Sequence, residues 1–163
     1  AAIIDAIPVI QKEFNDVKFL IMGDGPEEER LKLIVNSKKL IDRVIFLGKV
    51  TDKPQKKAYY NASQIFILNT FYEGMSNTLP EAMAAGLPII TTRAGGNPEF
   101  VDENNGRLVE YNNVEQITAA AIELFSSPEL AKRLGENGRE RAKKYTIERL
   151  VEKNIKVIQS LAG

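Results

Sequence analysis

The 163-residue sequence contains no cysteine and no histidine, and each absence closes a field of chemistry. Without thiols there are no disulfides, no thiolate metal sites and no cysteine nucleophile. Without imidazole there is no histidine ligand or histidine base, which excludes Ser-His-Asp catalysis outright. Charge of one sign is also lacking in excess, since 22 Lys and Arg balance 22 Asp and Glu. No global field therefore draws the chain to nucleic acid or to an anionic membrane surface. No apolar run approaches the ~20 residues of a membrane-spanning helix, and no basic-then-apolar leader opens the sequence. A cytoplasmic location is expected, with peripheral membrane association left open for a full-length protein.

What is present is ordinary globular material. A hydrophobic content of 44% and a charged content of 27% suit one soluble domain with a sizeable core. Apolar residues at 3, 4, 7, 10 and 14 have helical spacing. The chain thus opens on a helix with no strand before it, and the first strand of the sheet is expected upstream. Strands are predicted over 17–22, 43–47, 65–68, 88–91 and 106–109. Helices are predicted over 27–39 and 54–61, the latter carrying Tyr59 and Tyr60 toward the core. Three closing helices are predicted over 114–126, 128–145 and 147–161. Strands alternating with helices imply a parallel sheet covered on both faces, a doubly wound Rossmann-like α/β fold.

The stretch 71–92, FYEGMSNTLPEAMAAGLPIITT, is where this organisation converges. Ile65 to Leu68 reads as a fully buried strand and leads into a polar loop and a short helix. Thr78 and Glu81 match a capping box, with a hydroxyl at the N-cap and a carboxylate three residues on. Pro80 suits the first turn, Gly86 is placed to end the helix in a left-handed conformation, and Pro88 prevents its resumption. The helix start lies just past the C-terminal end of a strand. In an open parallel sheet ligands bind there, and helix amides favour an anion such as a diphosphate. On these residues alone Glu81 is a cap, Glu73 a solvated loop acid, and Asp52 a cap for the following helix. Gly23-Asp24-Gly25-Pro26 is turn chemistry, because the three-glycine dinucleotide spacing is missing.

The same stretch resembles a known family. Glu73 and Glu81, in Glu73-Gly74-Met75-Ser76-Asn77 and Glu81-Ala82-Met83-Ala84-Ala85-Gly86-Leu87-Pro88, match the two-glutamate motif of retaining GT-B glycosyltransferases. Gly95-Gly96-Asn97-Pro98-Glu99 strengthens the match, which covers almost the whole chain. The resemblance is to the C-terminal, donor-binding domain of the "glycosyl transferases group 1" family. It implies that residues 1–163 form one nucleotide-sugar-binding domain, with the acceptor-binding domain absent from this chain. It places Glu73 at the donor sugar as the catalytic group, either nucleophile or electrostatic stabiliser, and Glu81 on the ribose hydroxyls. Gly74, Met75, Ser76, Asn77 and Thr78 would supply amides to sugar and diphosphate. Val50 would clasp the nucleobase through its backbone, and Asp52 would touch a guanine edge or cap its helix.

The implied partners are a UDP- or GDP-linked sugar donor and a saccharide or lipid-linked acceptor, with no nucleic acid. No cofactor and no metal are expected, because no acidic triplet for a divalent cation is visible and helix amides assume that charge role. Relatives carry an arginine and a lysine in the loop after the domain's first strand, which would lie before Ala1. Two rivals stand beside this reading: a non-catalytic nucleotide-sugar-binding module, and a nucleotide-sugar epimerase on the same scaffold.

Overall fold

A computed structural model describes residues 1–72, 74, 77–145, 155 and 159. In chain order the elements are α1 (Ala2–Glu13), β1 (Phe19–Met22), α2 (Glu28–Ser37), β2 (Val44–Gly48), α3 (Lys53–Ala62) and β3 (Phe66–Leu68). Then follow α4 (Thr78–Ala85), β4 (Ile89–Thr92), α5 (Asn97–Phe100), β5 (Gly106–Val109), α6 (Val114–Ser126) and α7 (Pro128–Ala142). A 3-10 turn, Lys143–Tyr145, follows α7. The helix expected over 147–161 lies outside the described residues except for Ile155 and Gln159, both helical.

All strand pairs are parallel, but they form two sheets. β1 pairs with β2, and β3, β4 and β5 form a three-stranded sheet in that order. β4 is central and entirely buried, with β3 and β5 on its two sides. Ile90 faces a core built from α1, α6 and α7, including Ala6, Ile10, Ile117, Leu124 and Leu134. Its neighbour Ile89 faces the opposite core, with Leu79, Ala82 and Met83 of α4 and with Phe100. That inversion is the period-2 alternation of a strand whose two faces are both covered by helices. A third cluster, Ile4, Ile7, Val35, Leu40 and Val44, joins α1 and α2 to β2.

β3 corrects one expectation. Its Phe-Ile-Leu sequence reads as fully buried, yet all three residues are only half-buried. β1 behaves alike, with four apolar residues each half-buried. Both strands border the same open cleft of about 1080 Å³, which separates the two sheets. The apolar run reports what each strand can bury, and the open cleft leaves one flank of each uncovered.

The central helix α4 is held at both ends of its buried face. Leu79, Ala82 and Met83 are inaccessible to solvent, and burying the Leu and Met side chains contributes about 1.5–3 kcal/mol each. Gly86 closes the helix at φ 81° and ψ 28°, the left-handed conformation anticipated for it. The Leu87 amide donates to the Ala82 carbonyl and the Gly86 amide to the Met83 carbonyl, satisfying the last turn. Arg139 of α7 donates to the Ala85 carbonyl at 2.8 Å, which locks α7 onto this end.

Candidate functional site

Parallel pairing brings the loops that follow β3, β4 and β5 to one edge of the sheet. Loop 69–77 is tied at its base. Asn69 donates to the Asn112 side chain at 2.9 Å and accepts from the Asn112 amide at 3.1 Å. The Thr92 hydroxyl donates to the Thr70 carbonyl at 2.8 Å. Asn97, fully buried, donates from Nδ2 to the Thr91 hydroxyl and the Thr92 carbonyl, each at 3.1 Å, and fixes the end of β4. The Gly95-Gly96 turn lies against the glycine of the glutamate loop. A Cβ on Gly96 would stand 2.7 Å from the Gly74 carbonyl oxygen, closer than packing allows. The two glycine segments quoted from the sequence therefore meet in space.

Glu81 is the best-defined acid at this edge. Lys56 of α3 sets its ammonium 2.9 Å from both carboxylate oxygens. Tyr60, one turn further along α3, donates its hydroxyl to Oε2 at 3.1 Å. Tyr60 is buried, and its ring packs on Phe66 at 5.9 Å between centroids. Burial, and next the charge and hydrogen bond of Glu81, hold its phenol well above the usual range, so it stays a donor.

This geometry revises the capping box. α4 begins at Thr78, with Asn77 in the N-cap position and no side-chain cap bond from it. Glu81 is thus the fourth helical residue, and its carboxylate turns toward α3. The ammonium and the buried phenol both form charge-assisted bonds with this carboxylate, and the ammonium adds a full opposite charge that a backbone amide does not carry.

Other predicted residues fall in distinct places. Asp52 caps α3: its backbone is extended and its carboxylate accepts from the Gln55 amide at 2.8 Å. Val50, half-buried, lines the cleft together with Thr78, Lys56 and Tyr60. Gly74, Asn77 and Thr78 are exposed on the approach to α4. Glu73, Met75 and Ser76 lie outside the described residues. Among the described residues no group of three or more acidic or other ligating side chains could hold a metal ion. No described helix is long and apolar enough to cross a membrane.

Lys56 is absent from the sequence-based site, because its contact with Glu81 spans 25 positions. The available signal was weak: Lys56 and Tyr60 are four apart, so one face of α3 presents a cation and a phenol together.

Residues 1–141 match the family model described as glycosyl transferases group 1. The chain is 33% identical over 146 residues to a glycosyltransferase of Haemophilus influenzae, covering 88% of this chain and 40% of that protein. It is 36% identical over 126 residues to N-acetyl-alpha-D-glucosaminyl L-malate synthase of Bacillus anthracis, covering 77% and 32%. The chain therefore spans about two fifths or less of these curated relatives. Among solved structures, it resembles the C-terminal domain of a glycosyl transferase group 1 family protein from Francisella tularensis. There the TM-score is 0.80 at 30% identity, over 90% of this chain and 78% of that one. TarM of S. aureus, solved in a complex containing UDP, gives 0.83 at 25% identity, over 95% and 31%. The architecture is that of GT-B C-terminal domains.

Proposed function

The chain belongs to the glycosyl transferases group 1 family, and from that premise we propose that it is the donor-binding half of a sugar-transferring enzyme. The donor is a nucleotide-diphosphate sugar, UDP- or GDP-linked, and the acceptor a saccharide or lipid-linked saccharide engaged by a separate domain. Configuration at the anomeric carbon is retained. UDP in the complex of the TarM neighbour supports the donor class.

The observation that carries this reading is the Glu81 carboxylate, held by Lys56 and Tyr60, two residues that line the cleft. An ionised carboxylate offers about four lone-pair sites. Lys56 and Tyr60 occupy three of them, two from the ammonium and one from the phenol. A vicinal ribose diol donates two bonds, one more than the free capacity. Binding therefore displaces Lys56, whose side chain is 28% exposed, while the buried Tyr60 keeps the carboxylate oriented. Lys56 is a placeholder that satisfies Glu81 until nucleotide arrives.

Around this contact the remaining roles are those that the family resemblance implies. The N-terminus of α4 presents its positive dipole end toward the diphosphate. Residues 74–78 supply amides, and Val50 contacts the base through its backbone. Glu73 faces the sugar ring, where negative charge stabilises an oxocarbenium-like transition state. No cofactor or metal enters this scheme.

Titration of the 163-residue chain with UDP- and GDP-sugars, followed by an assay of transfer and donor turnover, tests the proposal. The expected result is binding of one donor class with no transfer by this chain alone, because the acceptor domain is elsewhere. Glycosyl transfer by the isolated chain would overturn the division into halves. Equilibration of one nucleotide sugar into its epimer would replace the transferase reading altogether.

A further inference from the structure

Among the described residues three aromatic side chains are exposed, and all three lie where the loops after β3 and β5 meet. Phe71 is 77% exposed, Tyr72 80% and Tyr111 45%. Phe71 and Tyr72 stand in the loop after β3, and Tyr111 two residues past the end of β5. Exposed apolar side chains scattered singly need no explanation, but rings gathered at one place mark a contact surface. Phe71 and Tyr111 touch edge to face, with centroids 5.3 Å apart and planes at 61°. That contact leaves most of Phe71 open to solvent.

The rings are set in place before any ligand arrives. Asn69 and Asn112, two residues before Phe71 and one after Tyr111, exchange hydrogen bonds of 2.9 and 3.1 Å that clamp one loop to the other. Asn112 makes this clamp in the left-handed conformation, φ 57°, which a short amide side chain tolerates. Its own Nδ2 group takes no part in the clamp. A surface ordered in advance loses little conformational freedom on binding. The neighbouring charges are balanced, since Arg93 and Glu110 face each other at 3.7 Å. An anionic headgroup or a nucleic acid would find no net positive field in that pair.

Strand order gives this platform a place relative to the donor. In the donor-binding reading the base lies at Val50 after β2, the diphosphate at the start of α4 after β3, and the sugar beside Glu73. The turn after β4 joins that last position, because Gly96 closely approaches the Gly74 carbonyl. β5 follows β4 in the sheet, so the loop after β5 is next in line beyond the sugar. The group that meets the sugar from outside is the acceptor, a saccharide. A pyranose has an apolar C–H face and a rim of hydroxyls. Its weakly positive C–H bonds suit the negative face of an aromatic ring. Asn112, Glu110 and Arg93 offer donors and acceptors to the hydroxyl rim. We propose that Phe71 and Tyr111, flanked by Tyr72, form an acceptor subsite on which one neutral pyranose ring stacks. The inference rests on the sugar-transfer reading and extends it: this chain grips part of the acceptor that a separate domain otherwise engages.

The test titrates the 163-residue chain with methyl α-D-glucopyranoside, methyl α-D-mannopyranoside and methyl N-acetyl-α-D-glucosaminide. Magnetic saturation of the protein's aromatic protons, read as it passes to the probe, reports which C–H groups lie on a ring. At least one probe should receive saturation at its ring C–H groups. Phe71→Leu and Tyr111→Leu keep apolar bulk at exposed positions, so they should fold as wild type does and weaken that binding about three- to tenfold. Phe71→Tyr keeps a ring and should bind like wild type. No saturation of any probe would overturn the proposal, as would equal binding by the leucine variants. Equal binding, with a lower Tm for the same changes in the full-length enzyme, would assign the rings to contact with the acceptor domain instead. UDP and GDP titrated into the same samples keep the two readings apart. Nucleotide binding without glycoside stacking removes the platform and leaves the donor reading intact. Stacking without nucleotide binding supports the saccharide site and fails the donor reading.

Discussion

Lys56→Met separates the two things that Lys56 does. Methionine keeps the aliphatic stem over α3 and removes the ammonium. The bonds lost are the two 2.9 Å contacts with Glu81, whose partners' side chains are 28% and 40% exposed. A hydrogen bond to a charged group contributes about 1.5–3 kcal/mol when shielded. Exposure at this level reduces that toward the range of surface ion pairs, so roughly 1 kcal/mol of stability should be lost. For a chain of this length that is a fall of about 2–4 °C in Tm. Nucleotide affinity should move the other way. A placeholder that no longer has to be displaced returns its energy to the ligand, so UDP or GDP should bind up to about fivefold tighter. Calorimetric titration near half-molar salt checks this, because the Debye length there is only about 4–5 Å and long-range attraction of Lys56 for phosphate is screened. A loss of affinity under those conditions, as large as that from removing the Glu81 charge, would refute the placeholder role and make Lys56 a required part of the site.

Three further outcomes are expected. In the full-length enzyme Glu73→Gln should cut turnover sharply while leaving affinity for free nucleotide diphosphate nearly unchanged, and an equal loss of nucleotide binding would move Glu73 away from the sugar. Gly96→Ala should force the Gly74 carbonyl aside, since its Cβ would stand 2.7 Å from that oxygen; turnover and Tm should both fall, because a backbone atom has to move, and an unchanged rate would show that loop position is not limiting. The Arg107 guanidinium, bonded to Glu123 at 2.7 and 2.8 Å, holds the Glu123 carboxyl below its ordinary value of 4.5. Its stabilisation is then full above about pH 4.5 and is lost as pH falls through the lower folded value. The Tm gap between wild type and Glu123→Gln should persist down to about pH 4.5 and close below it, and a gap that does not depend on pH would exclude the pair as its source.

The order of elements was legible because apolar runs of strand length alternate with helical spacing, and because Gly86 and Pro88 punctuate the central helix. The left-handed conformation at Gly86 follows directly from residue type. Local patterns failed where a distant group competes. Thr78 and Glu81 form an acceptable capping box on paper, but Lys56 lies 25 positions away and offers Glu81 a cation, so the carboxylate turns off the helix axis. The reverse case is Asp52, whose capping role is local and was readable. β3 misled for another reason: Phe66, Ile67 and Leu68 are as apolar as a buried strand should be, yet nothing in three residues tells whether both flanks are covered. The separation of β1 from β3 is likewise a fact of pairing, and no periodicity records it.

The ribose role of Glu81 is tested most directly by comparing ribose and 2′-deoxyribose nucleotide diphosphates on wild-type protein and on Glu81→Gln. Glutamine keeps the shape and can still accept, but it removes a charge-assisted pair of bonds worth on the order of 1–3 kcal/mol, or roughly five- to hundredfold in affinity. Wild type should prefer the ribose form, and Glu81→Gln should bind it more weakly and discriminate less between the two. If both proteins bind both nucleotides alike, Glu81 serves only its contacts with Lys56 and Tyr60, and the carboxylate is not a ribose ligand.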